Sequence, residues 1–320
     1  MAIKLSKRSE ELDREVNEKF VEAPKKLTSY LLITLVLSVI IFIQNLYLLN
    51  DSTNPQFQLV MKKGNNDSEE ILSTMKNSLL MVSFLAHDFK AVSLDTIENI
   101  DTFDAGTKYD LYYNGYGKYE FNSSEISYFR ETNGLDIFED LINDVAVQVS
   151  GISKSNTTAL VNPLMRTFTH TVGSVSEMYD EYKATGDIPE HFNEDTLKLG
   201  RSANNIEKFA KFMKNYPQIS IIISFISTLS LFVLVNVMLF RNDSKRLILA
   251  VVFTESFQTI CLFCSWASQY RYYYKLNKVL TRFNLAKLTI ANGYTFLQIM
   301  LILSFTIQAI WIYNFCTKKN

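Results

Sequence analysis

One acidic side chain stands inside a long uncharged run. Glu255 is the ninth residue of the apolar stretch that begins at Leu247, about 12 Å along a helix axis. A carboxylate in hydrocarbon is costly, and an intramembrane acid is a functional candidate by default. Three polar residues of neighbouring runs, Asn236, Gln308 and Gln298, fall about 7, 8 and 17 Å from the same side. Two chemistries are open to this set. A buried Glu255 hydrogen-bonded to Gln298 or Gln308 would hold helices together. A protonatable Glu255 would serve transport, for example as part of a calcium-influx component. A conducting path is usually lined by several such groups, and this run has a single acid. Helix packing is therefore the favoured reading.

The remaining reactive residue types point away from catalysis. Cys261-x-x-Cys264 has redox or metal spacing but lies in the same apolar run, where cysteines act as small packing residues. His87, His170 and His191 are scattered, with no second ligand at metal spacing. No Gly-rich phosphate loop, G-x-S-x-G elbow or H-E-x-x-H is present. An enzyme is not expected, nor is a cofactor or a metal. Asp136, Glu139, Asp140 and Asp144 could gather a cation, but their spacing places them along one helix face, read here as a solvated face. Tyr109, Tyr112, Tyr113, Tyr116 and Tyr119 are close together. They would offer rigid amphipathic contacts to a partner, or equally form the core of a hairpin.

The elements that would position these residues follow from hydropathy and charge. The chain has 320 residues, 48% of them hydrophobic, and a net charge of −1. Residues 51–217 hold 25 acidic and 15 basic side chains, whereas the remainder holds 8 and 17. An acidic middle thus sits in a basic, apolar frame. No basic face of the size nucleic acid needs is visible. Four runs are long enough to cross a bilayer as helices: Thr28–Leu49, Gln218–Phe240, Leu247–Gln269 and Thr289–Tyr313. The expected order is a cytosolic tail (1–27), the first span (28–49), an extracytoplasmic domain (50–217) and the second span (218–240). A cytosolic turn (241–246), the third span (247–269), an outer loop (270–288), the fourth span (289–313) and a cytosolic tail (314–320) follow. Lys25, Lys26, Arg241, Lys245 and Arg246 favour cytosolic termini, although 270–288 also carries five bases. Asn66, Asn122 and Asn156 begin glycosylation sequons in the 50–217 region.

Within that region, Gln56–Met61 alternates like a strand, and Leu72–Phe89 has helical spacing. Residues 107–121 read as a Tyr-rich hairpin turning at Asn114-Gly115. Helices are expected over Gly134–Val149 and Pro163–Tyr182. A last helix, capped by Asn193, carries Leu199, Ala203, Ile206, Ala210 and Met213 on one stripe. The fold class is thus a mainly α membrane protein of four transmembrane helices, with an α/β extracytoplasmic domain between the first and second.

This arrangement, with Tyr112-Tyr113-Asn114-Gly115-Tyr116-Gly117 and the Asn133-Gly134-Leu135-Asp136-Ile137 lead into the acidic helix, resembles the fungal Sur/PalI group of claudin-like four-span proteins. That group includes cortical-patch, pH-response and spore membrane assembly proteins. Its outer loop carries a Leu-Trp…Cys…Cys signature. Here tyrosines stand in place of the Trp, Gly117 in place of the first Cys, and the second Cys is absent. The resemblance implies a non-enzymatic membrane organiser at the plasma membrane or a developing spore (prospore) membrane, reached through the endoplasmic reticulum. Its partners would be the membrane and a protein or wall component on the outer face. A second copy is a further partner, because a four-helix bundle leaves much lipid-facing surface.

Overall fold

The computed structural model describes residues 29–49, 54–62, 100–119, 125–132, 135–150, 154–190, 192–213, 216–240 and 245–317. The expected helix at Leu72–Phe89 and the tail 1–27 lie outside the described residues. The elements are α1 (Ser29–Leu49), β1 (Phe57–Met61), β2 (Lys108–Tyr112), β3 (Gly115–Tyr119), β4 (Ile126–Glu131), α2 (Ile137–Ser150) and α3 (Lys154–Thr185). They continue with α4 (Glu194–Met213), α5 (Tyr216–Phe240), α6 (Lys245–Arg282), β5 (Ala286–Ile290) and α7 (Asn292–Thr317). Four helical stretches, in α1, α5, α6 and α7, are long and apolar enough to cross a membrane. The architecture is mainly helical with one small sheet.

The chain divides into two compact units. One holds α1 through Leu46, α5 from Ile222, α6 through Phe263 and α7 from Gln298. The other holds Tyr47–Ile221 and Cys264–Leu297. The second half of α6 and all of β5 therefore belong to the same unit as the 50–217 region.

The sheet is antiparallel throughout, in the order β4-β3-β2-β1-β5. In β1 the strand period of two is plain: Phe57, Leu59 and Met61 are buried, and Gln58 and Val60 are half-buried. Residues 270–288 are built differently from the connecting loop expected of them. The helix continues to Arg282, and the chain then enters β5, which pairs with β1 from Phe57↔Ile290 to Met61↔Ala286. The change of element is made by a helix cap. Asn284 takes φ 49°, its N–H donates to Thr281 O at 3.2 Å, and the Leu285 N–H donates to Leu280 O at 2.9 Å. This is the Schellman pattern, and Asn is one of the few non-glycine residues that enters the left-handed region readily. Because β5 occupies 286–290, the last apolar helix starts at Asn292 rather than at Thr289.

The β2–β3 hairpin is present, but its turn is one residue earlier than expected. Tyr112 pairs with Gly115, so the turn residues are Tyr113 and Asn114, and neither has a positive φ. Gly115 has φ 155°, and a Cβ there would lie 2.0 Å from the Arg130 carbonyl oxygen of β4. The glycine is required by the close approach of β4 as much as by the turn. Around this sheet α2, α3, α4 and the second half of α6 complete one apolar core, including Phe57, Leu59, Leu111, Tyr116, Val145, Leu164, Ile206 and Leu276. Asn193 caps α4 as expected, accepting from the Thr196 N–H at 2.7 Å. The buried stripe of α4 runs through Leu197, Asn204, Ile206, Glu207, Ala210 and Met213, and Leu199 is only half-buried.

Replacing Gly115 with Ala is expected to cost about 3 kcal/mol, because positive-φ strain adds to a backbone clash. Gly117→Ala meets side chains alone, the methyls of Ile126 at 3.2 and 3.3 Å and the Tyr112 ring at 3.6 Å, and is expected to cost no more than about 1 kcal/mol. Thermal denaturation of the two purified variants in detergent measures the difference; equal losses would contradict the assigned β3–β4 register.

Candidate functional site

In the helical unit, hydrogen bonds between side chains tie the apolar helices together. Glu255 of α6 is fully buried, and its Oε2 accepts from Ser304 Oγ of α7 at 3.0 Å. Ser304 Oγ is also 2.7 Å from Thr259 Oγ1, one helical turn beyond Glu255. Gln258 Nε2 of α6 donates to Ser224 Oγ and Thr228 Oγ1 of α5, at 3.3 and 3.1 Å. Asn45 Nδ2 of α1 donates to the same Ser224 Oγ at 3.2 Å. Gln308 Nε2 of α7 donates to Ser256 Oγ of α6 at 2.9 Å, and Trp311 Nε1 of α7 donates to Thr34 Oγ1 of α1 at 2.9 Å. Phe42 stacks on Phe225 at 5.1 Å between ring centres. In lipid there is no hydrophobic drive between helices, so small residues and such bonds carry association, at about 0.6 kcal/mol each on average.

The expected partners of Glu255 need correction. Gln308 joins the seam through Ser256, not through the carboxylate, and Gln298 is half-buried without a bond to Glu255 among the described residues. Asn236 is exposed and donates back to Phe232 O of its own helix at 2.8 Å. Ser304 was not singled out by sequence reading. A serine in an apolar run carries little signal, and only the helix pairing selects it. Trp311 is fully buried in the seam.

The second polar cluster lies in the sheet unit; it decides between the two readings of the tyrosines and overturns the solvated reading of the acids. Tyr109, Tyr112, Tyr113 and Tyr116 are buried and Tyr119 is half-buried, so these rings are core rather than an exposed partner surface. The acidic side of α2 is not solvated either, since Asp136, Asp140 and Asp144 are buried. The period of four was read correctly, but the face it makes packs against the strands. Four donors converge on Asp144 Oδ2: Tyr109 Oη at 2.7 Å, Thr102 Oγ1 and Gln148 Nε2 at 2.8 Å, and Lys118 Nζ at 3.1 Å. Lys118 also bridges to Asp101. Asp140 accepts from Thr132 Oγ1 at 2.8 Å, and Asp136 caps α2 through the Phe138 and Glu139 amides at 3.0 and 3.3 Å.

Burial raises the Asp144 carboxyl above its usual range, with Lys118 and the Tyr109 hydroxyl opposing the rise. Burial, then the Asp144 charge, raises the Tyr109 phenol well above its ordinary value. Burial and the bond to Asp110 push Tyr119 up to about 12. Tyr113 Oη accepts from Gln269 Nε2 of α6 at 2.7 Å, and Tyr272 Oη of α6 accepts from the Ile137 N–H at 3.3 Å. The tyrosines thus act as polar bolts between the sheet, α2 and α6.

Among the described residues, no group of three or more His, Cys, Asp or Glu is arranged to hold a metal. His170 is exposed, while His87 and His191 lie outside the described residues. Cys261, Cys264 and Cys316 are free thiols. Of the sequon asparagines, Asn156 falls in the first turn of α3, and Asn66 and Asn122 lie outside the described residues.

Removing Lys118 leaves a buried carboxylate without its charge partner, so Lys118→Met is expected to destabilise by about 3 kcal/mol or more. Folding raises the affinity of Asp144 for its proton, so in the window above the unfolded value of 3.8 the folded state binds more protons. Stability from this group therefore falls as pH rises through that window. Asp144→Asn should flatten this part of the stability–pH curve measured between pH 4 and 7; an unchanged slope would contradict the assignment.

Comparison with known proteins places this geometry in a family. The model of the Spore membrane assembly protein 2 family matches residues 26–318. A Saccharomyces cerevisiae (strain S288c) protein named Spore membrane assembly protein 2 is 28% identical over 142 residues, covering 41% of this chain and 38% of the relative. The Eremothecium gossypii protein of the same name is 28% identical over 119 residues, covering 34% of this chain and 31% of the relative. The chain thus spans less than half the length of these curated relatives. Since the family match runs from ahead of α1 to the end of α7, the chain belongs to the Spore membrane assembly protein 2 family.

Proposed function

We propose that the chain is a non-enzymatic multi-pass membrane protein that helps assemble the forming spore membrane. The family membership and the printed name of its relatives support the role. The observation that carries the mechanical reading is the β1–β5 pairing. It joins the 50–217 region to the segment between α6 and α7, so the folded domain is built partly from the membrane-helix chain itself. Such a body transmits load between what it touches and the bilayer, as a domain on a slack linker would not. The domain faces the non-cytoplasmic side and the termini face the cytosol. There it meets a protein, wall or lipid partner.

In this reading Glu255 is packing glue. The hydroxyls of Ser304 and Thr259 lie beside it, and no base pairs with it among the described residues. The wider Sur/PalI kinship remains part of the proposal and rests on the span arrangement. A transport role would need Glu255 to move ions, and its replacement separates the two readings. Glu255→Gln keeps an acceptor for Ser304 and should leave assembly intact.

Two measurements test the proposal. A fluorescently tagged copy should concentrate on the forming spore membrane, and cells lacking the protein should form discontinuous spore membranes that Glu255→Gln restores. Normal spore membranes in its absence would overturn the role. Assembly unchanged by Glu255→Gln, with ion flux lost in reconstituted vesicles, would instead favour transport. For orientation, protease added to the outside of intact cells or to opened lumenal compartments should cleave within 50–217. Cleavage only from the cytosolic side would reverse the assigned topology.

A further inference from the structure

Within the sheet unit, four bases form a collar beside the places where α5 and α6 meet their apolar runs. Lys208 and Lys211 lie on the last turns of α4, just ahead of α5. Arg271 and Lys275 lie one helical turn apart on α6, just beyond the apolar run that ends at Gln269. The two bases of α6 lie over an aromatic ring of α4. Arg271 Cζ is 5.8 Å and Lys275 Nζ 5.2 Å from the centre of the Phe209 ring. Phe209 leans on Phe212 and Tyr272 at 6.0 and 6.2 Å, and Phe212 stacks on Tyr216 at 5.0 Å. Phe212 is 53% exposed, Tyr270 48% and Tyr274 58%.

The electrostatics are unexpected for this region. Residues 51–217 carry ten more acids than bases, 25 against 15. Yet among the described residues Lys208, Arg271 and Lys275 make no salt bridge. Other bases of the same unit do: Lys198 with Glu194 at 2.8 Å, Arg201 with Asp180 at 2.8 Å, and Arg282 with Asp195 at 3.7 Å. Lys211 contacts the buried Glu207 at 2.6 Å but keeps its side chain 57% exposed. Glu207 is thus the one acid that pairs with the collar among the described residues, and Arg271 and Lys275 lie on a ring instead. Bases interleaved with exposed aromatics beside an apolar helix end have the composition of a membrane-interface surface. The collar also sits at the right height. Lys275 is six residues past the apolar run, about 9 Å along the helix, close to the depth of a headgroup layer.

We propose that Lys208, Lys211, Arg271 and Lys275, with Phe212 as an apolar wedge, bind the anionic headgroups of phospholipids in the membrane that α5 and α6 enter. The cations supply attraction to phosphate and the rings settle among the acyl-chain ends. The proposal rests on the reading of these helices as membrane spans. It does not depend on a role in spore formation.

The test uses the full chain reconstituted in nanodiscs of phosphatidylcholine containing 30% phosphatidylserine, then extracted in mild detergent, with the retained lipids quantified by mass spectrometry. The wild type should retain phosphatidylserine in clear excess over its share of the mixture. Neutralising each base weakens attraction by about fivefold, so the quadruple variant K208Q/K211Q/R271Q/K275Q should lose the excess. The variant K183Q/K198Q, on bases that pair with Glu194, should keep it. If the quadruple variant does not fold, the double variant R271Q/K275Q, checked by size-exclusion profile, should lose at least half. A wild type that retains the two lipids in proportion to the mixture overturns the proposal without any variant. Loss of the excess on adding 10 mM inorganic phosphate would overturn it too, because the collar would then be a site for free phosphate. Recruitment failure in spores with lipid retention intact would count against the assembly role and leave this surface standing.

Discussion

Pairing between β1 and β5 is the constraint on which the rest of the structure depends. Five consecutive residue pairs join a strand that follows α1 to a strand that lies between α6 and α7. Hydrogen-bonded strands cannot be separated by a bilayer, since every backbone group in hydrocarbon must be satisfied locally. The end of α1, the end of α6 and the start of α7 therefore share one side of any membrane these helices cross. β2, β3 and β4 belong to that side too, because each is paired into the same sheet. If all four helices cross, as proposed above, this pairing would put both chain ends on the opposite side, whichever compartment that is. Gly293 shows how closely the joint is built. Its N–H donates to Pro55 O at 2.8 Å, and a Cβ there would meet Asn54 O at 2.6 Å.

The two units solve polar burial in opposite ways. Among the described residues, the buried polar groups that bond across helices in the helical unit are hydroxyls, amides and a single acid. Small groups of this kind let backbones approach, and they cost little because the separated helices would also find partners. In the sheet unit the buried groups are charged. Asp144 and Lys118 lie inside a ring of Tyr109, Thr102 and Gln148. A buried ion pair contributes little net stability, because desolvation offsets its attraction. What it imposes is register: only one placement of α2 on the strands brings Asp144 under both Tyr109 of β2 and Lys118 of β3. With no cysteine between residues 51 and 217, that unit has no disulfide within this stretch to perform the same task.

The legible features were those carried by local periodicity. The apolar runs, the alternation of Phe57–Met61, the hairpin and the Asn193 cap each depend on neighbours within a few residues. The features that escaped were set by distant partners. The acidic stripe of α2 has the spacing of a solvated face, and nothing local reports that Lys118, 26 positions away, will neutralise it. The tyrosines look alike whether they face a partner or a helix, and it is Gln269 and Asp144 that decide. Ala286–Ile290 is too short to outweigh the apolar residues beyond it, so the sequence reading divides the strand between the outer loop and the last span. Its signal was Asn284, whose tolerance of a left-handed backbone ends α6. Glu255 was recognisable as a lone acid in an apolar run, but its partner depended on helix rotation, which the run does not encode.

The structure also changes the weight of an argument about orientation. Counted as a short loop, the five bases of 270–288 oppose cytosolic termini almost as strongly as the bases near the other ends favour them. The positive-inside rule concerns short connecting loops, whereas long segments and folded domains translocate largely regardless of charge. Residues 270–288 are helix and strand within a folded body, and their bases are engaged there. Arg282 reaches Asp195, and Arg271 and Lys275 lie over Phe209. Only Arg282 meets an acid there, but all of them belong to a folded body, to which the short-loop rule does not apply. The bases at Lys25, Lys26, Arg241, Lys245 and Arg246 have no such domain of opposite sign beside them in sequence. The five bases of 270–288 therefore carry little weight against the proposed placement of the domain.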